Sequence, residues 1–153
     1  PEGNISECEI LFTFALECSR KIKNVNFIWR FPPRVEFNDL KNSNINFQTL
    51  EKNIIISSSS LENDINETNY VLYRGSSVSI NATLSGSIPL YFIQKNELSM
   101  DPLFSYQQNT RIVSNVKEFQ NQIQYGKIAS DQLKTYCKDI YSKIDIKVLE
   151  NLE

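Results

Sequence analysis

The spacing of apolar residues along the chain predicts helices that alternate with short strands. Residues 4–22 carry one apolar stripe at the helical period of 3.6 residues, which predicts the first helix. Asn4, followed three residues later by Glu7, matches the start of a capping box and places the beginning of this helix. The stripe consists of Ile10, Leu11, Phe14, Ala15, Cys18 and Ile22.

Compact apolar runs bounded by polar or turn residues predict strands at residues 25–29, 53–56, 70–73 and 88–93. Residues 34–50 are weakly patterned and predict a short helix and a loop, whereas residues 61–66 predict one or two helical turns. A further helix is predicted from Ser76 to about Ser85, because Gly86 is a good C-terminal residue. Two more helices are marked by Val116, Phe119 and Ile123, and by Leu133, Cys137, Ile140 and Ile144.

This alternation predicts the fold class. Strands that alternate with helices imply a parallel sheet covered by helices, so we expect an α/β fold with a Rossmann-like doubly wound sheet. At 153 residues the chain is most simply one domain, residues 1–153. Pro1 to Gly3 reads as the exit from a strand, which predicts that the domain is excised from a longer chain.

The charge and composition exclude several classes of function. A net charge of −2 argues against a sequence-independent nucleic-acid binder, which usually presents a basic face. The chain has no histidine, so a histidine base or metal ligand is excluded. Cys8 and Cys18 would lie about 15 Å apart on one helix, too far for a disulfide. Cys137 is expected in the core, and three reduced thiols predict a cytoplasmic protein.

The most informative segment follows the strand at residues 70–73. Gly75 is followed by Ser76 and Ser77 at the predicted start of a helix. Backbone N–H groups, two hydroxyls and the positive end of a helix dipole would then meet at one place, which predicts a phosphate site. The alternative is a simple helix cap. Arg74 is expected either to meet a diphosphate or carboxylate or to be a surface arginine.

Other polar residues fall at the same predicted edge, where the strands end and where ligands of such sheets bind. Gly3 and Glu7 begin the first helix, and Arg30 follows the strand at residues 25–29. The serine run at residues 57–60 and Glu62 follow the next strand. Each has a structural alternative: a capping residue at Glu7, an ion pair at Arg30, a polar loop at the serines, and a solvated first-turn carboxylate at Glu62.

Together these segments resemble the carboxy-terminal, donor-binding half of a GT-B-fold glycosyltransferase, over roughly residues 1–104. The likeness is to enzymes of bacterial surface polysaccharide synthesis and to bacterial sialyltransferases. It is carried by Pro1-Glu2-Gly3 with Glu7, Phe27-Ile28-Trp29-Arg30, the segment from Ser57 to Glu62, and Arg74-Gly75-Ser76-Ser77 leading into Gly86-Ser87-Ile88-Pro89.

The resemblance implies that Ser76 and Ser77 hold the phosphate of a nucleotide-sugar, and that Glu62, with Ser59 and Ser60, lies near the ribose or base. It implies metal-independent glycosyl transfer to a glycan acceptor, with no cofactor. The catalytic base would come from an amino-terminal acceptor domain. Peripheral association of the full-length enzyme with a membrane is a further expectation.

The sequence also departs from that family. Pro32-Pro33 stands where the family commonly has a His-Pro pair whose histidine contacts the nucleotide, and Asn81 stands where related sequences often have an acidic residue. Two alternatives therefore stay open. One is a degenerate, non-catalytic nucleotide-binding or interaction domain of the same fold. The other is a stand-alone flavodoxin-like domain that binds a different phosphate ligand.

Overall fold

The computed structural model describes residue 1 and residues 3–106, 111–125 and 129–140. It confirms an α/β fold built on parallel strands. The helices are α1 (Ile5–Lys21), α2 (Phe37–Ser43), α3 (Leu61–Asn66), α4 (Val78–Leu84), α5 (Val116–Tyr125) and α6 (Asp131–Ile140), with a 3₁₀ turn at Ile45–Phe47. The strands are β1 (Phe27–Trp29), β2 (Ile54–Ile56), β3 (Tyr70–Tyr73), β4 (Ile88–Phe92) and β5 (Ile112–Val113).

The strands form two hydrogen-bonded sheets among the described residues, where the sequence predicts one. The first sheet pairs β1 with β2, and the second has the order β3-β4-β5, with every pair parallel. The sequence pattern does not predict β5, which is only two residues long. Pro89 lies in β4 before the stretch that β5 pairs, so its missing N–H costs no bond to β5.

The start of α1 and the end of α4 follow the predicted caps. The Asn4 side chain accepts a hydrogen bond from the Glu7 N–H at 2.9 Å and begins α1. The predicted turns at residues 61–66 are α3. Helix α4 begins two residues later than predicted, at Val78, because Gly75 turns the chain with a φ of 64°. It ends before Gly86, whose φ of 103° favours glycine.

The larger core cluster is aromatic and lies under α1 and α5. Phe12 of α1 stacks on Trp29 of β1 with ring centroids 4.6 Å apart, and Phe14 stacks on Phe92 of β4 at 4.1 Å. Phe119 of α5 meets the edge of Phe14 at 6.1 Å. Residues from both sheets belong to this one cluster, so α1 holds the two sheets together.

A second cluster lies on the opposite face of β4, where α4 and α6 pack. Tyr91 points into it, together with Ile80 of α4 and Leu133 of α6, whereas Leu90 and Phe92 point into the aromatic cluster. The sheet β3-β4-β5 is therefore covered by helices on both faces. Such a layered arrangement leaves the ends of the strands as the open part of the sheet.

All three cysteines are buried and none forms a disulfide, as the sequence predicts. Cys8 and Cys18 lie in α1, and Cys137 lies in α6 beside the second cluster. Burial raises the pKa of the Cys18 thiol to about 12. Ile144, placed on the last helix by its spacing, lies outside the described residues. In the described part of the chain no helix is long and apolar enough to cross a membrane.

Candidate functional site

The turn from β3 into α4 presents the predicted serine pair. Gly75 adopts a left-handed conformation, which a residue with a side chain rarely takes. The Ser76 carbonyl accepts from the Ser79 hydroxyl at 2.9 Å, and the Ser76 hydroxyl accepts from the Val78 N–H at a long 3.4 Å. Ser77 is the N-cap residue of α4, but its exposed side chain makes no capping bond. The Ser77 hydroxyl therefore faces solvent at this turn.

Arg74 is buried at the end of β3 and bonded to two carboxylates. Its Nε donates to Glu7 of α1, and its Nη1 and Nη2 donate to both carboxylate oxygens of Glu97, which follows β4. Only 6% of the residue is exposed, so it is not a surface arginine. The hydrogen bonds that Arg74 donates to Glu97 raise the pKa of Arg74 and outweigh its burial. An anionic ligand would reach this guanidinium only by replacing a carboxylate.

The ion pair with Arg74 brings the first turn of α1 to this edge of the sheet. Glu7 combines two roles, because its N–H is capped by Asn4 while its carboxylate binds Arg74. Gly3 is exposed beside the same turn and lines a cleft of about 680 Å³ with Arg34 and other residues of the segment before and within α2. The lining of that cleft does not include the serine pair.

Arg30 ties the end of β1 to the serine run after β2. Its Nη1 donates to the Ser59 carbonyl at 2.7 Å and forms an ion pair with Asp64 of α3 at 2.8 Å. The Ser57 hydroxyl donates to the same carboxylate oxygen at 2.6 Å. The structure thus forms the ion pair that the sequence offered as the alternative for Arg30. The sequence pattern does not reveal its partner, Asp64, because α3 carries several polar residues of which none is distinguished by its spacing.

The remaining predicted residues lie around the start of α3 and after β1. Ser60 is the N-cap of α3, and its hydroxyl accepts from the Asn63 N–H at 3.2 Å. Glu62 is exposed in the first turn of the same helix. Pro32 is half-buried and begins a turn in which its carbonyl accepts from the Val35 N–H at 3.0 Å. The carboxylate of Glu62 is therefore open to solvent near the Arg30 cluster.

A buried polar network next to Arg74 was not predicted. The Tyr73 hydroxyl donates to Asp101 at 2.6 Å and accepts from Arg111 at 2.8 Å. Arg111 forms an ion pair with Asp101 at 2.6 Å. Asp101 also begins a turn, in which the Leu103 N–H donates to the Asp101 carboxylate at 2.9 Å. The sequence gives no signal that Arg111 reaches back to this turn.

Lowering the pH is expected to destabilise the protein through Glu97. The hydrogen bonds from Arg74 lower the pKa of Glu97 below its ordinary value of 4.5. Because the folded-state pKa is lower than the unfolded one, this stabilisation is present above pH 4.5 and is lost as the pH falls through the folded-state value. Urea unfolding between pH 7 and pH 3 should show a shallower acid loss in Glu97→Gln than in the wild type.

The control for this prediction is Glu62→Gln, which removes an exposed carboxylate from α3. Its unfolding free energy should follow the wild-type pH dependence. Equal pH dependence in the wild type and in Glu97→Gln would show that the bond between Arg74 and Glu97 adds no acid-sensitive stability.

The charged groups at this edge are largely neutralised by one another. Arg74 with Glu7 and Glu97 sums to −1, and Arg30 with Asp64 sums to zero. Attraction for a phosphate must therefore come mainly from hydroxyls, backbone N–H groups and helix termini. In the parts of the chain that the structure describes, no group of three or more His, Cys, Asp or Glu residues could hold a metal ion.

Comparisons of the chain with protein-family models, curated proteins and solved structures give no match.

Proposed function

We propose that this chain is the nucleotide-sugar-binding domain of a GT-B-like glycosyltransferase, with the donor phosphate at Gly75, Ser76 and Ser77. The observation that carries the proposal is the left-handed turn at Gly75, which leaves the Ser77 hydroxyl exposed and without a capping bond at the carboxyl end of β3. Phosphates bind where backbone N–H groups and hydroxyls meet at such a turn. The Rossmann-like doubly wound sheet of a GT-B half is part of this proposal.

The start of α1 adds to the same site. The bond between Arg74 and Glu7 holds the first turn of this 17-residue helix beside the turn after β3. The positive end of its dipole therefore lies near the proposed phosphate. The start of α1 would supply part of the attraction for the phosphate that the Arg74 guanidinium, already bound to two carboxylates, does not supply.

The ribose or base would lie toward the start of α3. The carboxylate of Glu62 is exposed there, and carboxylates commonly accept hydrogen bonds from ribose hydroxyls. Arg30 fixes the segment by binding the Ser59 carbonyl and Asp64. In this proposal Ser60 acts as the cap that begins α3, and Ser59 lines the pocket through its backbone.

In the proposed reaction, charge builds on the leaving phosphate as the bond to the sugar breaks. The hydroxyls of Ser76 and Ser77 and the N–H groups of the turn would stabilise that charge without a metal ion. The base that deprotonates the acceptor hydroxyl of the glycan would lie in an amino-terminal domain. This chain would then bind the donor without transferring the sugar.

The second candidate is a non-catalytic domain of the same fold, and the state of Arg74 favours it. Both edges of the guanidinium are occupied by carboxylates, so a phosphate gains no cation there without displacing one. Pro32-Pro33 also supplies no side-chain donor for a nucleotide. Binding of nucleotides to the isolated chain distinguishes the two candidates.

Titration with CMP, CDP, UDP and GDP is expected to raise the melting temperature with at least one of them. A ligand that binds only the folded state adds about 2.7 kcal/mol to its stability at a hundredfold excess over the dissociation constant. The Ser76→Ala/Ser77→Ala variant should lose this shift, because it removes both hydroxyls from the turn. Thermal unfolding with and without each nucleotide measures the effect.

Ser85→Ala is the matched control, since Ser85 is an exposed serine at the other end of α4. It should keep the full shift. A nucleotide-dependent rise in melting temperature that survives in Ser76→Ala/Ser77→Ala would show that the phosphate does not bind at the turn after β3. No shift with any of the four nucleotides would reject the donor site and favour the non-catalytic domain.

A further inference from the structure

The carboxylate of Glu97 fills the part of the Arg74 guanidinium that an anionic ligand would use. Arg74 donates from Nη1 and Nη2 to the two oxygens of Glu97, whereas Glu7 receives only the Nε bond. Such a two-point contact is how an arginine binds a phosphate or carboxylate group. Because Arg74 directly precedes the turn at Gly75, Glu97 holds a position beside the proposed phosphate site.

Glu97 belongs to a surface loop, residues 94–98, that has few other polar attachments. The chain is anchored before the loop, where the Ile93 N–H donates to a carbonyl of β5 at 3.1 Å. It is anchored again after the loop, where the Met100 N–H donates to a tyrosine hydroxyl of β4 at 2.8 Å. Between these two points, the bonds that join the loop to the rest of the described chain are those from Arg74 to Glu97.

The side chains of this loop bury little apolar surface. Leu98 is 87% exposed, and the three residues that begin the loop are also exposed. Asn96 turns the chain with a left-handed φ of 66°, and this turn leads directly into Glu97. Segments with few buried apolar contacts open at a small cost in free energy. The Glu97 carboxylate can therefore leave Arg74 together with its loop while the core stays packed.

A cationic cleft borders the same loop. Its volume is about 540 Å³, and Lys21 of α1, Lys95 of the loop and Lys117 of α5 contribute to its lining. Glu17 also lines it, so three lysines against one glutamate leave a net charge of +2. None of these lysines forms an ion pair with a carboxylate of the described residues. A carboxylate released from Arg74 would therefore find net positive charge close to its own loop, which stabilises a second position of that loop.

We propose that Arg74 binds the phosphate or carboxylate group of a ligand, and that Glu97 stands in for this group until the ligand displaces it and the loop opens. Arg74 would then hold the phosphate beside Gly75, so the displacement of Glu97 rests on the proposed donor site. Displacement leaves Arg74 and Glu7 with a combined charge of zero instead of −1, which reduces repulsion of the phosphate. Ligands without an anionic group cannot replace the two bonds to Glu97 and would leave the loop closed.

Calorimetric titration with inorganic pyrophosphate tests this competition in the wild type and in Glu97→Gln. Glutamine keeps the size of the side chain but removes the charge that holds Arg74. A ligand that binds only the open form has its affinity reduced by the fraction of molecules that are open, so the dissociation constant should fall by about tenfold or more in Glu97→Gln. Glu7→Gln is the matched control, since it removes the same charge from the same guanidinium but leaves the two bonds to Glu97. It should show no such gain.

Equal dissociation constants in the wild type and Glu97→Gln, an equal gain in both variants, or no binding to any of the three proteins would overturn the displacement of Glu97. The double serine variant separates this result from the fate of the donor site. Binding that is lost in Ser76→Ala/Ser77→Ala but is equal in the wild type and Glu97→Gln would keep the phosphate at the turn and reject the displacement. A gain that persists in Glu97→Gln/Ser76→Ala/Ser77→Ala would keep Arg74 as the anion-binding residue and reject the turn.

A second test leaves Glu97 in place and does not depend on the stability of its variant. The three native cysteines are buried, so Leu98→Cys and Phe104→Cys, each at an exposed position, can be labelled selectively with a fluorescent maleimide. Saturation with pyrophosphate should lower the fluorescence anisotropy of the label at position 98, because the opened loop moves more freely. The label at position 104, beyond the anchor at Met100, should not change, and uridine, which has no phosphate, should change neither. Calorimetric binding of pyrophosphate without a change at position 98, or an equal fall at both positions, would overturn the proposal.

Discussion

Replacing Asp101 by alanine is expected to lower the free energy of unfolding by about 3–5 kcal/mol, because it leaves a buried guanidinium without its counter-ion. Asp101 is 5% exposed and Arg111 is 6% exposed, and their ion pair measures 2.6 Å. The substitution also removes the acceptor of the Tyr73 hydroxyl. Whole domains are stable by only about 5–15 kcal/mol, so one such change is a large fraction of the total.

The buried network offers the Arg111 guanidinium few acceptors other than the Asp101 carboxylate. Its Nη2 donates to the Leu103 carbonyl, and its Nε is buried without a partner among the described residues. The Asp101 carboxylate is therefore its main source of compensation. Burial raises the pKa of Tyr73, so the hydroxyl stays neutral and cannot replace the lost negative charge.

Urea denaturation of Asp101→Ala, the wild type and Asp139→Ala tests this prediction. Asp139 is exposed on α6, so its substitution should change the unfolding free energy by less than about 0.5 kcal/mol. The double variant Asp101→Leu/Arg111→Met should lose less than Asp101→Ala, because it removes both charges together. A loss below about 1 kcal/mol in Asp101→Ala would mean that solvent already reaches the ion pair.

Local patterns account for what the sequence predicted well. The stripe in α1, the cap at Asn4 and the glycine after α4 each depend on residues within one or two turns, so their signal is contained in the sequence. The strand segments are recognisable as apolar runs, and their parallel order follows from the intervening helices. These rules also bring Arg30 and the turn at Gly75 to the carboxyl ends of strands, where the structure has them.

Contacts between residues far apart in the chain account for the features that the sequence did not predict. Glu97 lies 23 residues from Arg74, and Asp64 lies 34 residues from Arg30, so nothing in the local pattern links these partners. β5 has only two residues and becomes a strand through its pairing with β4. The division into two sheets was equally hidden, because an apolar run predicts a strand but not the number of its neighbours.

Phe14→Ala is the second substitution with a large expected effect, a loss of about 3–5 kcal/mol of unfolding free energy. Phe14 is 4% exposed, stacks on Phe92 at 4.1 Å and meets the edge of Phe119 at 6.1 Å. It therefore joins α1 to both β4 and α5. Removing the ring loses its apolar burial and leaves a cavity that the backbone of a long helix fills poorly.

Phe104→Ala is the matched control, since this phenylalanine is 75% exposed. It should change the unfolding free energy by less than about 0.5 kcal/mol in the same urea experiment. Because Phe14 contacts rings of β4 and α5, hydrogen exchange in Phe14→Ala should increase in those elements more than in β2, which belongs to the other sheet. A uniform increase would mean that the sheets unfold as one unit, and a loss comparable to that of Phe104→Ala would show that α1 is not seated on β4 as the aromatic contacts require.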